Sequence, residues 1–217
     1  MPTVWLIRHG ESESNAGLPT SDPASIALTA RGYAQAESIA AAFAEKPSLI
    51  VTSPYARTKQ TARPTIARFA DVPLEEWPVH EFTYLSLGHR HNTTPKEREP
   101  LLHAFWERCD PLYNDGEGAE SFADLIGRVQ YTLEQIKRYD QGFIAVFSHG
   151  LFARAFLWFL LAALEDVSPI SMRRFRMFAT GLKMPNASIL PIRFDTIGDV
   201  WFGRFVTSHL PADLVTL

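Results

Sequence analysis

The sequence predicts an α/β fold built on a largely parallel sheet, and three observations carry that expectation. Three short apolar runs, Val4–Ile7, Leu49–Thr52 and Phe143–Phe147, read as buried strands. Segments of helical period lie between them, as the crossovers of parallel strands require. Each run ends in polar and cationic residues instead of more core: Arg8-His9-Gly10, Ser53 to Arg57, and Ser148-His149-Gly150. In such sheets ligands bind outside the carboxyl ends of the strands.

The first strand covers residues 3 to 8, and residues 9 to 28 form a loop rich in Ser, Pro, Asp and Gly. A loop of that length in a compact domain is usually functional. Thr29 offers an N-cap, and Ala36, Ile39, Ala40 and Phe43 follow at helical spacing. The strand ending at Thr52 leads through Ser53-Pro54 into a helix, which Pro64 should kink or restart. Leu74 to Val79 is a further strand, leading to Glu81. Residues 83 to 118 lack a clean period and read as an excursion over the site containing one helix. Ser121 and Asp124 resemble a capping box, followed by an apolar face of Phe122, Leu125, Ile126, Val129, Leu133 and Ile136. After the strand at Phe143 a helix runs to about Leu164, and another covers Ser168 to Phe178. Strands at Ser188 to Phe194 and Val200 to Thr207 close the sheet, the latter at an edge.

Composition narrows the function. The 217 residues suit one domain spanning 1–217, and with 46% hydrophobic residues, 15 Phe and 5 Trp they can build a sizeable core. A formal net charge of -3 supplies no global field for nucleic acid or an anionic membrane, so any anion site must be a local cluster. The single cysteine, Cys109, permits no disulfide within the chain, which fits a reducing compartment. The N-terminus lacks a charged leader, and the longest apolar run, Ala155 to Leu164, is too short to span a bilayer. The expectation is a cytoplasmic protein without nucleic-acid or membrane partners, whose oligomeric state stays open, a homodimer included.

Neighbouring side chains on a strand point to opposite faces, so Arg8 and His9 serve one ligand only if the strand ends there and the chain turns. Gly10 permits that turn and leaves access. An arginine fork beside an imidazole suits a phosphate. Catalysis on a phosphate ester must neutralise its oxygens, supply an in-line nucleophile and protonate the leaving oxygen. His9 is the expected nucleophile, held at its other nitrogen by a backbone carbonyl. Arg8 and Arg57 are the expected clamps, the latter helped by the N-terminus of its helix.

Leu6-Ile7-Arg8-His9-Gly10-Glu11-Ser12 resembles the signature of the histidine phosphatase superfamily, also called the phosphoglycerate mutase-like family. Ser53-Pro54-x-x-Arg57-Thr58-x-x-Thr61-Ala62 is similar to its second motif, and Ser148-His149-Gly150 with Arg154 and Asn186-Ala187-Ser188 match later segments. The resemblance runs from Val4 to about Ser188. It implies a three-layer fold, with His149 a charged donor opposite His9 and Glu81 the general acid, although Glu75 and Glu76 lie nearby. It also implies that Asn15 binds the phosphate, with Gly10 and Gly150 further substrate-binding positions. Glu11 and Glu13 should tie down arginines or loop N–H groups. The clustering of Arg90, Lys96, Arg98 and His91 between Glu81 and the helix after Ser121 makes Arg90, a substrate-binding position, or one of the other three the expected contact with the substrate beyond its phosphate. Glu120-Ser121 and Arg128 also resemble a family segment, but helix capping and a surface charge explain them. His89-x-His91 lacks partner ligands for a metal.

The function expected is a metal-independent, cofactor-free phosphomonoesterase of the histidine acid phosphatase type, acting on a small phosphorylated substrate through a phosphohistidine. The alternatives are phosphoglycerate mutase-type transfer, although Phe82 to Arg90 departs from the mutase pattern, and a non-catalytic phospho-ligand binding module.

Overall fold

The structure, a computed structural model, describes residues 2–162, 166–195 and 199–217. Its centre is a sheet of six strands: β1 (Thr3–Arg8), β2 (Leu49–Thr52), β3 (Leu74–Glu76), β4 (Phe143–Ser148), β5 (Ile189–Phe194) and β6 (Val200–Phe202). The order is β3-β2-β4-β1-β5-β6. The first four strands in that order pair in parallel, while β5 and β6 are antiparallel additions at the far side. Every residue of β4 is buried, as its unbroken apolar sequence demands of a central strand.

Strand alternation sorts the core into two layers. Val4, Leu6, Ile144 and Val146 face one side of the sheet, where α5 (Phe122–Lys137), α6 (Gly150–Ala162) and α7 (Pro169–Gly181) cover them. Ile7, Ile50, Ala145 and Phe147 face the other, under α1 (Ala30–Ala42) and α2 (Ala56–Arg68). Two shorter helices, α3 (Leu87–Arg90) and α4 (Glu99–Arg108), belong to the excursion between β3 and α5. No helix among the described residues is long and apolar enough to cross a membrane.

The helices start where their caps predict. The Thr29 hydroxyl accepts from Gly32 N at 3.1 Å, and Ser121 with Asp124 makes a reciprocal capping box. Ser168 and Ser171 repeat that arrangement before α7.

Several boundaries differ from expectation for physical reasons. Helix α2 runs through Pro64 without restarting. Strand β3 stops at Glu76: Trp77 N still donates to Thr52 O at 3.0 Å, but the next N–H on that side, Val79, turns back to Trp77 O at 2.7 Å. The excursion holds two helices, not one. Strand β6 ends at Phe202, and the chain pairs again only at a single bridge between Ile189 and Val206. Between them Gly203 packs so tightly that a Cβ there would lie 2.8 Å from Pro191 Cγ. The expected end of a helix at about Leu164 lies outside the described residues.

Candidate active site

A cavity of about 330 Å³ opens at the carboxyl ends of β1, β2 and β4. Its lining brings together Arg8, His9, Asn15, Arg57, Glu81 and Arg154. Strand β1 ends at Arg8, and His9 N is tied to Ser148 O at 3.0 Å, so the turn into the loop starts at the histidine.

His9 is 3% exposed, and its two nitrogens are differently engaged. Nδ1 lies 2.7 Å from Gly10 O and, as the nitrogen carrying the proton, donates to that carbonyl. Nε2 then holds the lone pair, which accepts from Arg57 Nε at 3.2 Å. Burial, reinforced by the charges of Arg57 and Arg8, pushes the His9 pKa well below the usual histidine value. A neutral imidazole with an available Nε2 is the state a nucleophile needs.

Arg57 comes from the first turn of α2. Its Nη1 donates to Pro23 O at 2.6 Å, and its guanidinium lies 5.0 Å from the centre of the Tyr55 ring. Arg8 Nη1 donates to Met184 O, while its buried Nε has no hydrogen-bond partner. Burial lowers both arginines to about 10, so both stay charged at neutral pH. At the α2 N-terminus Ala56 N donates to Ala24 O at 2.8 Å.

His149 is fully buried below the cavity, its ring centre 5.0 Å from that of His9 and 5.2 Å from that of Tyr55. Its Nε2 pairs with Ser53 Oγ at 2.8 Å, which joins the ends of β4 and β2. Burial, with Arg57 next, holds the His149 pKa well below the usual range.

Glu81 follows β3 and caps helix α6. Its Oε1 accepts from Phe82 N at 3.1 Å, Leu151 N at 3.1 Å and Phe152 N at 3.2 Å. Oε2 takes only a longer bond from Leu151 N at 3.3 Å and is the freer oxygen. Glu75 and Glu76 do not reach the cavity: Glu75 accepts from Trp77 Nε1, and Glu76 pairs with Lys59. Asn15 lines the cavity with Oδ1 accepting from Ser12 N and Oγ.

The two glycines expected at the ligand do not line the cavity. At Gly10 a Cβ would lie 2.5 Å from Gly32 O, so the residue is glycine to let β1 and α1 approach. At Gly150 a Cβ would lie 3.3 Å from Arg8 Nε, so its absence makes room for the arginine. In the excursion Arg90 and Arg98 line the cavity, whereas His91 and Lys96 do not. Glu11 holds Arg31 at 3.0 Å and the Thr29 hydroxyl, and Glu13 accepts from Ala27 N at 3.4 Å. His89 pairs with Asp115 at 2.6 Å, and no three metal-ligating side chains converge among the described residues.

Arg128 corrects the sequence reading most sharply. It is not a surface charge but a nearly buried strap, bonded to Glu120, Pro78 O and His80 O around the segment that carries Glu81. The signal was present in the spacing of Glu120, Ser121 and Arg128, with Arg128 at the margin of the apolar face of α5. Thr61, a position of the second motif to which the sequence gives no role, is a second supporting residue: its Oγ1 accepts from Gly10 N at 3.0 Å.

Residues 4–198 match the model of the histidine phosphatase superfamily (branch 1). The chain is 27% identical over 180 residues to the adenosylcobalamin/alpha-ribazole phosphatase of Escherichia coli, covering 80% of this chain and 84% of that protein. The enzyme of the same name from Salmonella typhimurium is likewise 27% identical over 180 residues, with 80% and 85% covered. Among solved structures, a phosphoserine phosphatase mutant from Entamoeba histolytica in complex with phosphoserine superimposes with a TM-score of 0.73 at 24% identity, covering 97% of this chain and all of that one (100%). The alpha-ribazole phosphatase from Shigella flexneri gives 0.66 at 20% identity, with 94% and 95% covered. These structures share the fold, and the expected phosphoglycerate mutase-like α/β architecture is borne out.

Proposed function

The chain belongs to the histidine phosphatase superfamily, and from that premise we propose that it is a phosphomonoester hydrolase working through a phosphohistidine on His9. The observation that carries the proposal is the state of His9. Its Nδ1 is fixed by Gly10 O, and its Nε2 lone pair is turned toward Arg57 within an arginine-lined cavity.

The groups suit the two half-reactions. An incoming phosphoryl group takes over the donors of Arg57 and Arg8 and releases the Nε2 lone pair for attack. As the N–P bond forms, the bond to the ester oxygen breaks, and Glu81 delivers a proton to the leaving alkoxide. Glu81 then accepts a proton from water, whose oxygen attacks phosphorus and displaces His9. Arg8, Arg57 and the Nδ2 of Asn15 hold the equatorial oxygens throughout. His149, beneath them, becomes a charged donor once a dianion offsets the burial that keeps it neutral. No step calls on a metal or cofactor.

The names of the relatives put alpha-ribazole phosphate, adenosylcobalamin-type esters and phosphoserine on the panel that tests this reading. Phosphate release is measured with EDTA present, for wild type and for His9→Ala, and the enzyme is quenched in base during turnover. The expected result is release by wild type alone, with a protein-bound phosphate that survives alkali and is lost in acid. Full activity in His9→Ala, or no release from any ester by folded wild type, would overturn the proposal.

A further inference from the structure

We propose that Arg90 and Arg98 form a second anion subsite, so that the substrate is a small phosphomonoester carrying a further anionic group. This rests on the phosphomonoester reading of the cavity floor. The charge balance of the cavity comes first: five arginines line it, Arg8, Arg57, Arg90, Arg98 and Arg154, against one carboxylate, Glu81. None of the five stands in a salt bridge among the described residues. Arg8, Arg57 and Arg154 each feel the charge of Glu81, which places them together at the floor. A phosphate dianion at the floor is met by those three cations, with Glu81 carrying the proton it delivers. Arg90 and Arg98 are left over.

Both leftover arginines are held with donors to spare. The only hydrogen bond from Arg90 among the described residues runs from Nε to Leu85 O at 3.1 Å. Among the described residues Arg98 is fixed through Nη1 alone, to Thr93 O at 2.6 Å, Thr93 Oγ1 at 3.1 Å and Thr20 Oγ1 at 3.4 Å. Thr20 and Thr93 in turn exchange backbone hydrogen bonds of 3.0 and 3.2 Å, which pin the excursion to the loop after β1. The remaining guanidinium donors suit a forked bond to a carboxylate or a second phosphate.

The two arginines also sit near each other and near the floor. All three line one cavity, and the charge of Arg90 lowers the pKa of both Arg98 and Arg57. Leu85, Pro95 and Leu102 line the same cavity and give it apolar wall, against which an ion pair is stronger than in water. Two like charges against an apolar wall are unfavourable until an anion joins them. A cavity of about 330 Å³ confines the phosphate and this second group to one small molecule.

The test uses matched pairs: 3-phosphoglycerate against glycerol 3-phosphate for a carboxylate, and fructose 1,6-bisphosphate against fructose 6-phosphate for a second phosphate. Binding is read by calorimetry on His9→Ala, and kcat/KM on wild type with p-nitrophenyl phosphate as the neutral reference. The expected preference for the better doubly anionic member is about 10- to 100-fold, the size of one or two charge-assisted hydrogen bonds. It should collapse toward unity in Arg90→Gln/Arg98→Gln and survive in part in Arg90→Lys, which keeps the charge without the fork. A ratio near unity in both pairs, or a ratio unchanged in the double variant, overturns the subsite. Hydrolysis of p-nitrophenyl phosphate alongside a ratio near unity sinks the subsite alone. A binding preference with no hydrolysis of any ester supports the subsite and sinks the hydrolase reading.

Discussion

Arg128 meets Glu120 through two parallel bonds, Nη2 to Oε1 at 2.6 Å and Nε to Oε2 at 2.9 Å, and between them the two residues grip both sides of Glu81. Arg128 Nη1 donates to Pro78 O at 2.7 Å and His80 O at 2.9 Å, upstream of the carboxylate. Glu120 Oε1 accepts from Thr83 N at 2.9 Å, downstream of it. The side chains are only 12% and 13% exposed, so the pair holds its geometry against solvent.

That clasp makes Arg128 a positioning residue for the proposed proton donor. Arg128→Lys keeps a charge but cannot form the fork. Its expected signature is a loss of about 10- to 100-fold in kcat on alkyl phosphates, whose leaving groups need the proton, and a much smaller loss on p-nitrophenyl phosphate. Glu81→Gln should show the same split. An equal loss on both ester types would mean that Arg128 supports the fold and not the acid.

The glycine contacts predict opposite effects on stability. Gly10→Ala places a methyl 2.5 Å from Gly32 O, and Gly32→Ala places one 2.1 Å from Glu11 O, both against backbone. Each should cost about 1–3 kcal/mol. Gly127 is exposed inside α5 with nothing within 4 Å of its Cβ position, so Gly127→Ala should stabilise by about 0.5–1 kcal/mol. Urea unfolding of the three variants checks the contrast, and a neutral Gly10→Ala would show that the two chain segments need not approach so closely.

These residues also show what the sequence could disclose. Arg8, His9, Arg57 and His149 each follow a strand end within a few residues, so local pattern was enough to place them at the carboxyl edge. Glu81 was reached only through its order along the chain, because its three N–H partners lie next to it and on α6, 70 residues away. Gly10 was correctly marked as special, but its reason, the backbone of Gly32, is a tertiary contact with no local trace. Arg128 was misread for the same cause: its partners Pro78 and His80 lie 50 and 48 positions away. Pattern at the margin of an amphipathic helix cannot separate a solvated cation from one roofed by a distant loop.

Buried neutral histidines make stability depend on acidity. His9 and His149 have folded pKa values well below the usual 6.5, and burial with Arg128 and Arg57 lowers His80 to about 4. Below pH 6.5 the unfolded chain binds protons that the folded chain refuses, so stability falls as pH drops, by about 1.4 kcal/mol per unit for each such histidine. Above pH 6.5 these three groups contribute no slope. Urea unfolding at pH 5, 6 and 7.5 should show the loss, and His80→Gln should reduce its slope by about a third. A stability constant from pH 7.5 to 5 would contradict the buried neutral state.

The contact between Arg57 and His9 yields a kinetic prediction of definite sign. After burial, Arg57 is the largest influence holding the His9 pKa down, and its Nε lies 3.2 Å from Nε2. In Arg57→Gln that cation is gone, so His9 protonates at higher pH and loses its lone pair sooner. The acid limb of the kcat/KM profile should therefore move to higher pH. In Arg57→Lys a charge remains but the fork that spans His9 Nε2 and Pro23 O does not. That variant should keep the acid limb near its wild-type position while losing about 100-fold in kcat/KM from weaker hold on the phosphoryl group. Steady-state kinetics from pH 4.5 to 8 on one good substrate separates the two effects. If the limb moves down in Arg57→Gln, or does not move, the group that titrates there is not His9 beside Arg57.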